Sequence, residues 1–318
     1  MGNEDIGNEN MGDKTMGNNL LGALEAGGTK MVCATGYADG TVLERTEFPT
    51  TAPAETIEQI VDWFQGRGIT ALGIGAFGPT GVNPKSSQYG YILDTPKVAW
   101  RNFNMLGALR DALGVPCGYD TDVNAACLGE CSFGCGRDLD NVLYLTVGTG
   151  VGAGVMCEGK LVHGMLHPEA GHIRIQKDPD DPIGATSGCP YHDDCLEGLI
   201  AGPAIKKRWN GARASSLADD PAAMDLLSVY LAQALATYIM CLSPQKIIIG
   251  GGVADHTPII ELARPKAAKL INGYLSTPEL GNLDNYIVGN SLDGKQGIMG
   301  CLVLASEELQ GGVRGTQA

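Results

Sequence analysis

Residues 20–48 read LLGALEAGGTKMVCATGYADGTVLERTEF, and residues 141–164 read NVLYLTVGTGVGAGVMCEGKLVHG. Each stretch is an apolar run, a glycine-rich turn, a second apolar run, an Asp-Gly or Glu-Gly turn and a third run. That is the pattern of a three-stranded meander, so one supersecondary unit is used twice. Working outward, a helix is predicted in PAETIEQIVDWFQGRG (53–68), where Ile57, Ile60, Val61 and Phe64 fall at helical spacing before a glycine stop. ALGIGAFGP (71–79) is a short buried strand ending in a Gly-Pro turn. Further helices are expected at 195–209, 223–242, 257–273 and 296–309, with a strand at IIIG (247–250). Two meanders, each followed by alternating helix and strand, predict two α/β domains with a cleft between them.

Three glycine loops carry the first chemical signal: EAGGTK (25–30), TVGTGVGAG (146–154) and GGGV (250–253). Glycine lets a backbone come close to a phosphate and aim N–H groups at it. GALEAGGT is not a Walker A loop, because Gly28 stands where the lysine belongs and a strand, MVCATG, follows where a helix is needed. TGVGAG lacks the G-x-G-x-x-G spacing of a dinucleotide site. A single such loop could be an ordinary hairpin; two in equivalent halves and a third before a helix point to phosphate.

Composition restricts the partners. The chain has 318 residues with 44% hydrophobic and 18% charged, a globular balance. Its net charge is −14, of which the first nineteen residues carry −3, which argues against nucleic acid and anionic membranes. No apolar run approaches the ~20 residues of a membrane span and no signal core is visible, so a cytoplasmic protein is expected. Residues 1–19 are polar and aperiodic, and are expected to be disordered.

The ten cysteines are then read in a reducing compartment. Cys127, Cys131 and Cys135 lie four apart in CLGECSFGC, as one stripe of a helix, and read better as small packing residues than as metal ligands. Cys33, Cys117, Cys157, Cys241 and Cys301 sit singly in apolar contexts and are expected in the core. GCPYHDDCLEG (188–198) is different: Cys189, His192 and Cys195 have the spacing C-x2-H-x2-C. A structural zinc needs a fourth ligand, which His172 of HPEAGHIRI (167–175) supplies. From the spacing alone, metal and coincidence remain open. A disulfide fits the compartment poorly, and no thioredoxin-like C-x-x-C is present.

YDTDVNAACLGE (119–130) puts Asp122 and Asn124 at a helix start after a short strand, where a carboxylate is stabilised as a cap or serves chemistry. Taken with the glycine loops, this resembles the actin-like, hexokinase-like (ribonuclease H-like) ATPase superfamily, and within it the ROK family of sugar kinases. EAGGTK stands where that family has D-x-G-G-T-K, and TDVNAACLGE where it has N-D-x-N-x-A-x-x-G-E. Glu25 and Thr121 depart from the pattern. HPEAGH matches E-x-G-H, and the Cys-His-Cys loop stands where the family has a cysteine-rich zinc loop followed by a glutamate. AFGPTG, TPKVAW, AGPAI and IIIGGGV add a likeness to bacterial fructokinases.

The resemblance implies a two-domain α/β fold with an interdomain cleft. Domain I would be 20–137 plus 291–312, and domain II 138–290. It implies ATP with Mg²⁺, a hexose as acceptor, a structural Zn²⁺ on His172, Cys189, His192 and Cys195, and a homodimer. Asp122 would be the catalytic base, with Gly78, Pro79, Asn124, Glu169, His172 and Glu197 around the sugar. Gly27, Gly28, Thr29 and Lys30 would hold phosphates on one side, Thr149 and Gly150 on the other. Gly202, Pro203, Gly250, Gly251 and Gly252 would border the adenosine. The expected reaction is phosphorylation of the 6-hydroxyl of D-fructose; a kinase for mannose, glucose or an N-acyl hexosamine is the alternative. The family's sugar-responsive regulators need a basic helix-turn-helix before the first strand, and only nineteen acidic, aperiodic residues precede Leu20.

Overall fold

The computed structural model describes residues 19–311. The stretch predicted to be disordered lies, apart from Asn19, outside the described residues.

The first meander forms as the sequence predicts: β1 (Leu21–Ala26), β2 (Lys30–Gly36) and β3 (Val42–Pro49) pair antiparallel. After α1 (Pro53–Phe64), β4 (Ala71–Ala76) adds parallel to β1. A small pair, β5 (Tyr91–Ile92) and β6 (Phe103–Asn104), and helix α2 (Met105–Leu113) lead to β7 (Cys117–Thr121), parallel to β4. Helix α3 (Asp122–Phe133) leaves this sheet for the second. There β8 (Val142–Val147), β9 (Val151–Cys157) and β10 (Lys160–Leu161) repeat the meander. Helices α4 (Leu196–Ile200), α5 (Gly202–Arg208) and α6 (Pro221–Leu242) precede β11 (Lys246–Gly250). Helices α7 (Ile259–Ile271) and α8 (Leu283–Tyr286) precede β12 (Ile287–Gly289), and α9 (Gln296–Leu309) ends the described chain. The sheet orders are β3-β2-β1-β4-β7 and β10-β9-β8-β11-β12, the same topology strand for strand. The molecule is an α/β protein of two such halves, the architecture of the actin-like, hexokinase-like folds.

Side-chain alternation decides how the halves meet. Along β1 and β2, Leu24, Ala26, Met31 and Cys33 pack outward with α1 and α2 around Ile60, Phe64 and Trp100. The alternate residues Leu21, Ala23, Val32 and Ala34 face inward. In the second sheet Leu143, Leu145, Ile247 and Ile249 face outward to α6 and α7, while Val142, Tyr144 and Ile248 face inward. The two inward sets share one core, filled by α3 and α9. These helices approach closely: a Cβ on Gly300 would overlap the Ala125 carbonyl and lie 3.0 Å from Gly129 N, so a residue without a side chain is needed there.

Four expectations are corrected. The helix expected at 195–209 is two, α4 and α5, broken at Ala201 because Pro203 starts a new first turn. Cys135 lies beyond the end of α3, where it meets Glu130 and Ser291 rather than continuing a stripe. Cys157 and Cys241 are exposed, not in the core. Finally, α6 is long and apolar enough, by length and composition, to cross a bilayer. Here it is half buried in the outer core of the second sheet, through Leu227, Tyr230, Leu231 and Leu235 among others.

Candidate active site

The first glycine turn, Gly27–Thr29, closes with Gly27 N donating to Lys30 O at 3.0 Å. It is braced from the end of β3, where Thr50 Oγ1 donates to Gly27 O at 2.7 Å and Thr50 N to Thr29 O at 3.0 Å. Lys30 points away, its ammonium 2.9 Å from Glu47 on an exposed edge. Below the turn, burial raises the pKa of Glu25.

In the second turn, Gly148 N donates to Gly150 O at 2.9 Å. Two other predicted loops converge on it. Gly202 N, at the start of α5, donates to Gly148 O at 2.8 Å, and Val253 N, after the Gly250–Gly252 turn, to Val147 O at 2.9 Å. That last turn needs Gly251 at φ +96°, a conformation L side chains rarely adopt. The structure thus brings Thr149, Gly150, Gly202, Pro203 and Gly250–Gly252 to one place. Glu197 joins them: its Oε2 accepts from Val151 N at 3.0 Å, and a Cβ on Gly150 would come within 2.7 Å of it.

At the start of α3 the cap is Thr121, whose hydroxyl accepts from Asn124 N at 3.0 Å. The departure from the family pattern therefore still serves the helix, and Asp122 is not needed as the cap. Asp122 accepts from the adjacent Val123 N at 2.8 Å. Desolvation, helped by the nearby charges of Glu25 and Glu169, holds its pKa up at about 7. Asn124 is fully buried; its Nδ2 donates to Asp120 Oδ1 at 2.6 Å, while its Oδ1 has no partner among the described residues.

Asp120 is a residue the sequence reading missed. Its buried carboxylate meets His163 Nε2 at 2.9 Å, joining the end of β7 to the loop after β10, hence one sheet to the other. His167, also missed, makes a second link: Thr80 N donates to its Nε2 at 3.3 Å, and its Nδ1 lies 3.6 Å from Glu169 Oε1. A signal did exist, since four of the chain's five histidines fall between 163 and 192. Gly78, before a cis bond to Pro79, faces this group: a Cβ there would be 3.3 Å from His167 and 3.6 Å from Glu169. Glu169 has its pKa raised to about 7, first by burial and then by Glu197.

The four predicted metal ligands also come together. The ligand atoms of His172, Cys189, His192 and Cys195 all lie within 4.8 Å of one another, with Cys189 Sγ 3.8 Å from His172 Nδ1 and 3.7 Å from His192 Nδ1. Tetrahedral zinc requires donor separations of roughly 3.3–3.8 Å, which these two pairs meet, so the donor set suits such an ion in number and type. The backbone prearranges it: Leu196 N donates to Ile173 O at 3.0 Å and Ile175 N to Asp194 O at 2.8 Å, which sets His172 beside Cys195.

Two glycine turns, a carboxyl of raised pKa and a polar wall thus stand at the junction of two duplicated sheets. The ROK family sequence profile matches residues 21–308, and the chain belongs to the ROK family. A fructokinase of Pediococcus pentosaceus is 45% identical over 92% of this chain and 99% of its own length. A Bacillus subtilis (strain 168) protein provisionally named a fructokinase is 47% identical over 92% and 97%. Among solved structures, a ROK family glucokinase from Streptomyces griseus in complex with glucose and AMPPNP superimposes with a TM-score of 0.71 at 26% identity, covering 91% of this chain and 100% of that one.

Proposed function

We propose that this protein is an ATP-dependent fructokinase, which transfers the γ-phosphoryl group of ATP to the 6-hydroxyl of D-fructose. The observation that carries the substrate is the end-to-end match to bacterial fructokinases. The mechanism we attach to it runs through Asp122. The sugar hydroxyl gives its proton to the Asp122 carboxylate as its oxygen bonds to the γ-phosphorus. The bond from that phosphorus to the β,γ-bridging oxygen breaks, and ADP leaves. Asn124 Oδ1, a buried acceptor without a partner among the described residues, suits a sugar hydroxyl, as do Glu169 and the Gly78–Pro79 turn. The Gly27–Thr29 turn and the Thr149–Gly150 turn hold the phosphates, and Gly202, Pro203 and Gly250–Gly252 flank the adenosine. Mg²⁺ bound with ATP would screen its charge, and Glu25, at the end of β1 just before the first turn, would be the carboxylate nearest to serve it.

In this reading His172, Cys189, His192 and Cys195 hold a structural zinc. Pinning His172 and Cys195 also fixes Glu169 and Glu197, which lie three and two residues away in the chain. The halves 20–137 with 291–312, and 138–290, close on the two substrates and exclude water, the competing acceptor. A kinase for another hexose is the second reading, favoured by the glucose complex of the Streptomyces griseus relative. The test is ADP release with MgATP against D-fructose, D-glucose, D-mannose and N-acetylated hexosamines. A preference for fructose is expected; a preference for another hexose would discard the substrate, and no turnover on any would discard the kinase.

A further inference from the structure

The segment TPKVAW (95–100) belongs to neither the glycine turns nor the acid–base set, yet its lysine lies on the first turn. A Cβ built on Gly28 would come within 3.1 Å of Lys97 Cε, so the end of that side chain covers the bare backbone at the tip of the turn. We propose that Lys97, rather than Lys30, is the cation that contacts the terminal phosphates of the nucleotide there. This rests on the kinase reading above.

The lysine is held in place by its own segment. Lys97 N donates to Thr95 Oγ1 at 3.4 Å, and Lys97 O accepts from Trp100 N at 2.8 Å. The Trp100 ring is buried, and its Nε1 donates to Thr51 O at 2.9 Å. Thr51 follows Thr50, the residue that braces the Gly27–Thr29 turn. One short stretch of chain therefore fixes both the turn and the lysine, and their separation is set by hydrogen bonds on both sides.

The charges agree with this assignment. The Lys97 ammonium has no acceptor or carboxylate partner among the described residues, whereas Lys30 is paired with Glu47. Near the site stand the carboxyl groups of Glu25, Asp122, Glu169 and Glu197, whose ionised forms repel an incoming polyphosphate, so a fixed cation offsets that repulsion. An ammonium offers three donors to phosphate oxygens and stabilises the charge that spreads over the transferred group.

Nucleotide affinity and turnover in Lys97→Met, Lys97→Arg and Lys30→Met test the idea. Lys97→Met should weaken MgAMPPNP binding by about tenfold or more, and lower kcat by about 10²-fold, the loss typical of one donor to a developing charge. AMP, which lacks the terminal phosphates, should bind within about threefold of the unaltered protein, as a substitution remote from its contacts allows. Lys97→Arg should recover much of the loss, and Lys30→Met should change little. A role confined to packing would weaken AMP and AMPPNP alike and would overturn the proposal. So would full activity in Lys97→Met, or a larger loss in Lys30→Met. The binding arm needs no sugar, so a wrong hexose leaves it readable.

Discussion

As the proposed base, Asp122 could accept a proton from the sugar only while ionised, and its surroundings resist ionisation. Activity, read as kcat/KM, should therefore climb as pH rises through about 7 and level off above it. The same shift acts on stability with the opposite sense. A carboxyl whose folded pKa stands above its unfolded value adds stability below about pH 4, and that contribution is lost as pH rises through about 7. Asp122→Asn removes the ionisation and should abolish turnover. At pH 8 it should also raise the unfolding free energy by about 1–3 kcal/mol, the screening at this partly open wall being allowed for. Urea titrations of both proteins at pH 5 and pH 8 check this; an Asp122→Asn stability at pH 8 equal to or below that of the unaltered protein would show that Asp122 ionises without cost.

Among the elements, α3 and α9 place this residue. Their crossing depends on glycine at positions 129 and 300, where a side chain would strike the facing backbone. Gly300→Val should destabilise by at least about 3 kcal/mol through overpacking, seen as a lower urea midpoint. A loss below 1 kcal/mol, about what an ordinary surface change costs, would mean that the helices separate freely. How much of this the sequence discloses depends on the range of the force responsible. The meanders are legible because alternation and glycine turns are local, and the four-ligand cluster because His172 stands close to the Cys-His-Cys loop. The link from Asp120 to His163 is not, because only the folded contact between sheets joins residues 43 apart. Lys97 was visible only within a motif, since nothing local tells a phosphate cation from a solvated lysine. The break at Ala201 was missed because apolar residues continue at helical spacing through Gly202-Pro203.

For the whole molecule, the Cys-His-Cys loop proposed to hold zinc and the second glycine turn are mechanically joined through Glu197, which follows Cys195 by two residues and accepts from Val151 N. Removing the ion with a strong chelator should lower the thermal midpoint by at least about 5 °C and raise the KM for sugar. Zinc should restore both, and magnesium neither. An unchanged midpoint and KM in protein verified to be metal-free would remove the structural role.

The shared inner core has a consequence for how the chain is made. Leu21, Ala23, Val32 and Ala34 belong to the first sheet, but part of what covers them is α9, at Gln296–Leu309. During synthesis on the ribosome the chain emerges from its N-terminal end, so this apolar face waits for nearly the whole polypeptide. The inward face of the second sheet, with Val142, Tyr144 and Ile248, waits for the same helix. Each sheet can gather its outer helices as it is made, but the seam between them closes only when the last helix arrives, and until then two apolar faces stand open to misassembly.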